Sequence, residues 1–139
     1  MKCTSGMDFT GCSINEISEK KMKYESDRFV FAADTEKEDV GEGVLRQVMA
    51  YNDSLMLARA HFQQGSIGYT HSHPHAQLAY VESGVFEFTV GAEVKSLGAG
   101  DCAYIPPNVD HGAVCRESGV LLDIFSPLRE DFLPENNNT

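Results

Sequence analysis

The sequence predicts an all-β fold, an antiparallel barrel or sandwich, and three observations point there. Between residues 28 and 126 the apolar residues fall in short runs, several alternating with polar residues at period two. Turns bearing Gly, Pro, Asn or Asp separate these runs at close spacing. No stretch of that region sustains a helical period, and no repeat of solenoid length is present.

At 139 residues the chain has room for one domain. A domain of this size buries roughly two thirds of its unfolded surface and folds without disulfides. Residues 1–27 read as a loosely held lead, in which Ser13-Ile14-Asn15-Glu16 has the spacing of a capping box and predicts a short helix over 14–22. Residues 28–134 form the barrel, and 135–139 have nothing to pack and fray. Within the barrel, 28–33 and 44–51 are β-type runs, the second ending at the turn pair Asn52-Asp53. Met56, Ala58, Ala60 and Phe62 share one face of a half-buried strand. Runs 78–81 and 85–90 flank Glu82-Ser83-Gly84 as a hairpin, with Phe86, Phe88 and Val90 on one side. Runs 94–97, 102–105, 113–116 and 120–125 complete the set, the last two separated by a turn at Glu117-Ser118-Gly119.

Charge excludes whole classes of partner. Eleven basic against 21 acidic residues leave a net charge of −10, which repels nucleic acid and anionic lipid. No apolar stretch approaches the ~18–20 residues of a membrane helix. The first ten residues carry one Lys and no apolar run of the ~7 residues a secretory signal needs, so a cytoplasmic location is expected. Cysteines 3, 12, 102 and 115 match no zinc-finger spacing, and buried free thiols are expected rather than a 102–115 bridge.

The histidines are concentrated. His71, His73 and His75 precede Gln77, and His111 follows in a Pro-rich segment. On an unbroken strand, odd positions from 71 to 77 point one way, although Pro74 marks a break in any ladder. Two imidazoles at i and i+2, with a third from a neighbouring strand, supply the converging neutral donors a metal ion wants. The plain alternative is a polar strand with solvated rings.

Two longer patterns frame these residues. Gly65-x5-His71-x-His73-x3-Gln77-x6-Gly84 resembles the first motif of the cupin superfamily, and Gly100-x5-Pro106-x-Asn108-x2-His111 resembles the second. Gln77 stands where the first motif usually has glutamate, and Asn108 where the second usually has glycine. Together with Tyr51-Asn52-Asp53, the segment 104–112 and the segment 122–132, they are similar to the pectin-degradation cupins of the KdgF type over roughly residues 43–133. The resemblance implies a single cupin barrel, a double-stranded antiparallel β-helix of jelly-roll form. It implies one divalent metal ion (zinc, nickel, iron, copper or manganese) held by His71, His73, Gln77 and His111, and a homodimer of the kind cupins form. It further implies an isomerase- or lyase-like enzyme that opens 4,5-unsaturated uronates, small acidic sugars released by pectin or alginate lyases, to linear 5-keto-4-deoxyuronates, with Asp123, Phe125 and Arg129 serving the substrate. A ligand-binding sensor and a metal-dependent dioxygenase are the competing readings.

The last three residues can also be read by spacing. Leu121, Asp123 and Phe125 share one face of a strand. That face is either the solvated one, with Asp123 simply hydrated, or the wall of a ligand site with an aromatic and an acid. Arg129 has Glu130 and Asp131 beside it and reads as a surface ion pair or, by its fork of donors, as a clamp for a carboxylate.

Overall fold

The computed structural model describes residues 21–134. Its strands are β1 (Glu38–Gly41), β2 (Val44–Asn52), β3 (Leu55–Phe62), β4 (Ile67–His71), β5 (Ala76–Val90), β6 (Glu93–Gly98), β7 (Cys102–Ile105) and β8 (His111–Ser126). All pairings are antiparallel: β1-β2-β3-β8-β5-β6 run side by side, with β4 on β8 and β7 on β5. The predicted helix over 14–22 lies mostly outside the described residues, as does the tail 135–139.

The spine is the pair β5–β8, and here the structure corrects the sequence reading. Neither Glu82-Ser83-Gly84 nor Glu117-Ser118-Gly119 is a hairpin turn; each lies inside one continuous strand. The two segments face each other, and the register slips around them: Gln77 pairs with Phe125 and Val81 with Leu121, but Phe86 pairs with Cys115 and Val90 with His111. On β5 the buried positions switch from odd (Gln77, Ala79, Val81) to even (Phe86, Phe88), while on β8 they stay odd (His111, Ala113, Cys115, Leu121, Phe125). Between the pairs Val81–Leu121 and Phe86–Cys115, β8 runs one residue further than β5, so the extra residue lies on β8 and forms a bulge that bends the pair and strengthens its twist. The two halves of the bent pair close on one core, in which Ala79 and Val81 from one half of β5 pack with Phe86 and Phe88 from the other.

Glycine is needed at this crossing for lack of space. A Cβ at Gly84, where φ is +87°, would stand 2.6 Å from the Glu117 carbonyl oxygen. A Cβ on Gly119 would drive into the backbone of Ser83. Gly119→Ala is therefore expected to destabilise the fold by about 3 kcal/mol, the upper range of overpacking, because only backbone can give way. A urea midpoint unchanged from wild type would show that the crossing has slack.

The run 28–33 is not a strand. Residues Ala32–Asp34 form a 3-10 turn, and β1 rather than this run pairs with the free edge of β2, leaving Phe29 and Phe31 exposed. The segment is pinned from beneath by buried Gln47, whose Nε2 donates to the carbonyls of Ala32 (2.9 Å) and Thr35 (3.1 Å). Residues 23–26 are also held to the β2–β3 end of the sheet. The amides of Lys23 and Tyr24 donate to the Asp53 carboxylate at 3.0 and 2.7 Å, and Ser26 N donates to Tyr51 O at 2.9 Å. Cys102 and Cys115 are both free thiols, but only Cys115 is buried as expected; Cys102, at the start of the short β7, is exposed. Among the described residues no helix is long and apolar enough to cross a membrane.

Inside the barrel, β3 decides where the space lies. Its inward residues are Met56, Ala58, Ala60 and Phe62, as the alternation predicts. The two alanines sit between larger neighbours: Ala58 between Val48 and Asp123, Ala60 between Arg46 and Leu121. Small side chains there leave an open-sided cleft of about 870 Å³, lined by Arg46, Ala60, His71, Gln77, Asp123, Phe125, Arg129 and Phe132 among others.

Candidate metal centre and cleft

His71 ends β4, His111 begins β8, and the two are register partners, so the pairing itself places their rings 4.4 Å apart by centroid. His73 does not lie on a strand with His71. Residues 72–75 form a loop between β4 and β5, and the continuous alternation from 71 to 77 does not hold. The loop is fixed instead by the second motif, since Asn108 N donates to His73 O at 2.7 Å. Asn108 has φ +64°, the left-handed region that glycine enters freely and asparagine tolerates best among the others. That accounts for asparagine at this motif position.

The three rings share one hydrogen-bond scheme. Nδ1 of His71 faces Tyr69 O at 2.8 Å, Nδ1 of His73 faces His75 O at 3.1 Å, and Nδ1 of His111 faces Val109 O at 2.9 Å. A carbonyl can only accept, so each Nδ1 carries the proton and each Nε2 is left with a bare lone pair. One nitrogen from each ring lies within 4.8 Å of the others. Burial also holds the His73 and His111 imidazoles below the usual histidine range, favouring the neutral ligand form.

Gln77 completes the cluster from the start of β5. Its Nε2 donates to Asp123 Oδ1 at 2.9 Å, which turns Oε1 toward His73 Nε2 at 3.0 Å. Two lone pairs thus face each other with no proton assigned between them. Nε2 of His111 is fully buried without any partner. Buried acceptors converging in this way are costly unless a cation joins them. The residues therefore fit a metal ion, with three imidazoles and an amide oxygen suited to a first-row divalent ion.

Beside this centre stands the cleft wall. Phe125 is buried and meets His73 edge-on at 5.9 Å, so the face holding Asp123 and Phe125 is the inner one. Burial pushes the Asp123 carboxyl up to about 6, opposed by the Gln77 hydrogen bond and by the charges of Arg129 and Arg46. Arg129 lies over Phe125 at 5.2 Å and Phe132 at 4.3 Å. Its fork is engaged: Nε and one terminal nitrogen donate to the two Asp131 oxygens at 3.0 and 2.9 Å. This is the neighbouring ion pair the sequence offered as an alternative, with Arg129 on the cleft wall and Asp131 exposed outside it. His75 packs behind, edge-on to His73 and Phe125. His61 is outside the cleft, with Nε2 2.7 Å from Gln47 Oε1.

Among the cleft residues that escaped the sequence reading are Arg46 and Phe132. Arg46 shares a strand face with Val44 and Val48, but Leu45 and Met49 make the other face equally apolar, so alternation alone does not say which face turns inward.

A bent antiparallel barrel with two histidines and a glutamine on one side and a third histidine on the facing strand defines the class. Residues 58–125 match the cupin domain family, and the chain belongs to it. Among individual relatives, it is 41% identical over 108 residues to the pectin degradation protein KdgF of Dickeya dadantii (strain 3937), covering 76% of this chain and 98% of that protein. The solved structure of KdgF from Halomonas sp. is 34% identical, with a TM-score of 0.75 over 78% of this chain and all (100%) of that one. An RmlC-like cupin from Shewanella frigidimarina NCIMB 400 is 47% identical, with a TM-score of 0.77 over 78% of this chain and 98% of that one.

Proposed function

We propose that this protein opens the ring of 4,5-unsaturated uronates, the sugars that pectin or alginate lyases release, to give linear 5-keto-4-deoxyuronates with the help of one divalent ion. The observation that carries this reading is the meeting of an imidazole-rich ligand set with Asp123 and Phe125 on the wall of one cleft. Its relatives include a protein named for pectin degradation, which supports the choice of substrate.

The reaction is an isomerisation. Removing the proton from the C1 hydroxyl forms the C1 aldehyde as the bond from C1 to the ring oxygen breaks. The electron pair stays on that oxygen as a C5 enolate, and protonation at C4 leaves the 5-keto product. No electrons are lost and no water is added overall. His71, His73, Gln77 and His111 would hold the ion, which when bound supplies Lewis acidity toward a substrate oxygen. Asp123 takes the hydroxyl proton and returns one at C4, being the carboxylate that faces the cleft among apolar residues. Its second task is structural, since its hold on Gln77 Nε2 keeps the amide oxygen turned to the imidazoles. Phe125 presents a flat wall for the sugar ring, and Arg129 lends positive charge for the acid group.

The test is to mix purified protein with an unsaturated monouronate and follow loss of absorbance from the conjugated C4=C5 bond, against a metal-stripped control. Wild-type protein should bleach the signal and the stripped protein should not. Oxygen uptake, or tight binding without bleaching, would replace this reading with an oxygenase or a sensor.

A further inference from the structure

The cleft holds two guanidiniums, and they differ in how their donors are used. Arg129 is committed to Asp131 through both prongs of its fork. Arg46 projects from β2 over Ala60, whose single methyl leaves it room, and its guanidinium stacks on Phe132 at 3.6 Å. Its only ionic contact among the described residues is one terminal nitrogen 3.4 Å from Glu38 Oε1, a long contact to a largely exposed carboxylate. Its Nε is buried with no partner at all.

Both guanidiniums rest on the Phe132 ring, Arg129 at 4.3 Å from its centroid, so two like charges are held close together at one wall of the cleft. Asp131 answers one of them. The other can offer its two terminal nitrogens, one of them held only by the long Glu38 contact, and that pair fits a carboxylate in two parallel hydrogen bonds. A surface ion pair as long as that to Glu38 contributes little and gives way readily to a better-placed anion.

We infer that Arg46 is the residue that binds the carboxylate of an acidic sugar in this cleft, and that it sets the preference for uronates over neutral sugars. Arg129, its fork held by Asp131, lends charge to the acid group without gripping it. This assignment rests on the uronate reading above and gives it an anchor that the last strand and its exit do not supply.

The experiment compares an unsaturated monouronate with its methyl ester, which has the same ring and no charge. Wild-type protein should prefer the acid in kcat/KM. Arg46→Gln should raise KM for the acid by on the order of 10-fold or more, the loss of a charge-assisted hydrogen bond, and bring the acid-to-ester ratio toward one with kcat little changed. Arg46→Lys should keep part of the preference. Glu38→Gln, which removes only the outer ion pair, should keep all of it. Metal content and melting temperature confirm that each variant is folded. An unchanged ratio in Arg46→Gln, or a ratio abolished by Arg129→Gln and not by Arg46→Gln, overturns the assignment. Calorimetric binding of galacturonate against its methyl ester, run on the same proteins, separates this from the reaction itself. If wild type opens no ring, the proposed function fails, yet an acid preference that Arg46→Gln removes still upholds the carboxylate site, and one it leaves intact still refutes it.

Discussion

Asp123→Asn is expected to lower turnover of an unsaturated uronate by ~10²–10⁴-fold while leaving the fold and the metal content as they are. The substitution is nearly isosteric, and the asparagine oxygen can still accept the hydrogen bond that Gln77 Nε2 gives to Asp123 Oδ1. The amide oxygen of Gln77 can therefore stay turned toward His73. What disappears is the group able to take a proton and give it back. Initial rates at equal metal loading check this, with metal counted by mass spectrometry on the same samples. Wild-type turnover in Asp123→Asn would remove the acid–base role, and most of the weight would pass to a cleft that binds without reacting. A fall in both metal and turnover would instead assign Asp123 to holding Gln77 alone.

His111→Ala should reduce metal affinity at least ~10-fold, since even partners one shell further out are typically worth that much. His111 is the most enclosed of the ring donors, 3% exposed, with Nε2 buried and unpaired and Nδ1 held by Val109 O. His71, by contrast, stands exposed at the rim. Removing the enclosed donor leaves a gap the size of an imidazole ring and takes one of the three converging nitrogens away. Turnover should fall to that of the metal-stripped protein, and added metal should restore little of it. Full metal occupancy in His111→Ala would show that the three rings do not form one site.

Much of the site was legible because it depends on local spacing. His71, His73, Gln77 and His111 are recognisable by position along the chain, and Asp123 with Phe125 by alternation on one strand. The structure brings all six to one cluster and decides between the two faces that spacing left open. Arg46 was harder, because its role depends on β2 lying beside β3, which lies beside β8, and no local pattern states that order. The two false hairpins have a different cause. Gly84 and Gly119 carry ordinary turn signals when each is read alone. Only the pairing of β5 with β8 shows that each glycine makes room for the other strand. The run 28–33 failed for want of a partner, since its β-type composition finds no open edge.

The bend at Gly119 also determines what lengths of chain the site can accept. His111 and Phe125 are 14 positions apart on one strand, and a straight strand would separate them by about 48 Å. Yet the ring of His73 touches both, at centroid distances of 4.8 and 5.9 Å. The doubled-back strand therefore acts as a ruler folded at its middle, with its two ends read against each other. An insertion or deletion of one residue at 117–119 would carry the pleat out of phase beyond the fold. Asp123 and Phe125 would turn outward while His111 stayed inside. The stretch of β8 that most resembles an expendable surface turn is thus the one in which chain length is least free to vary.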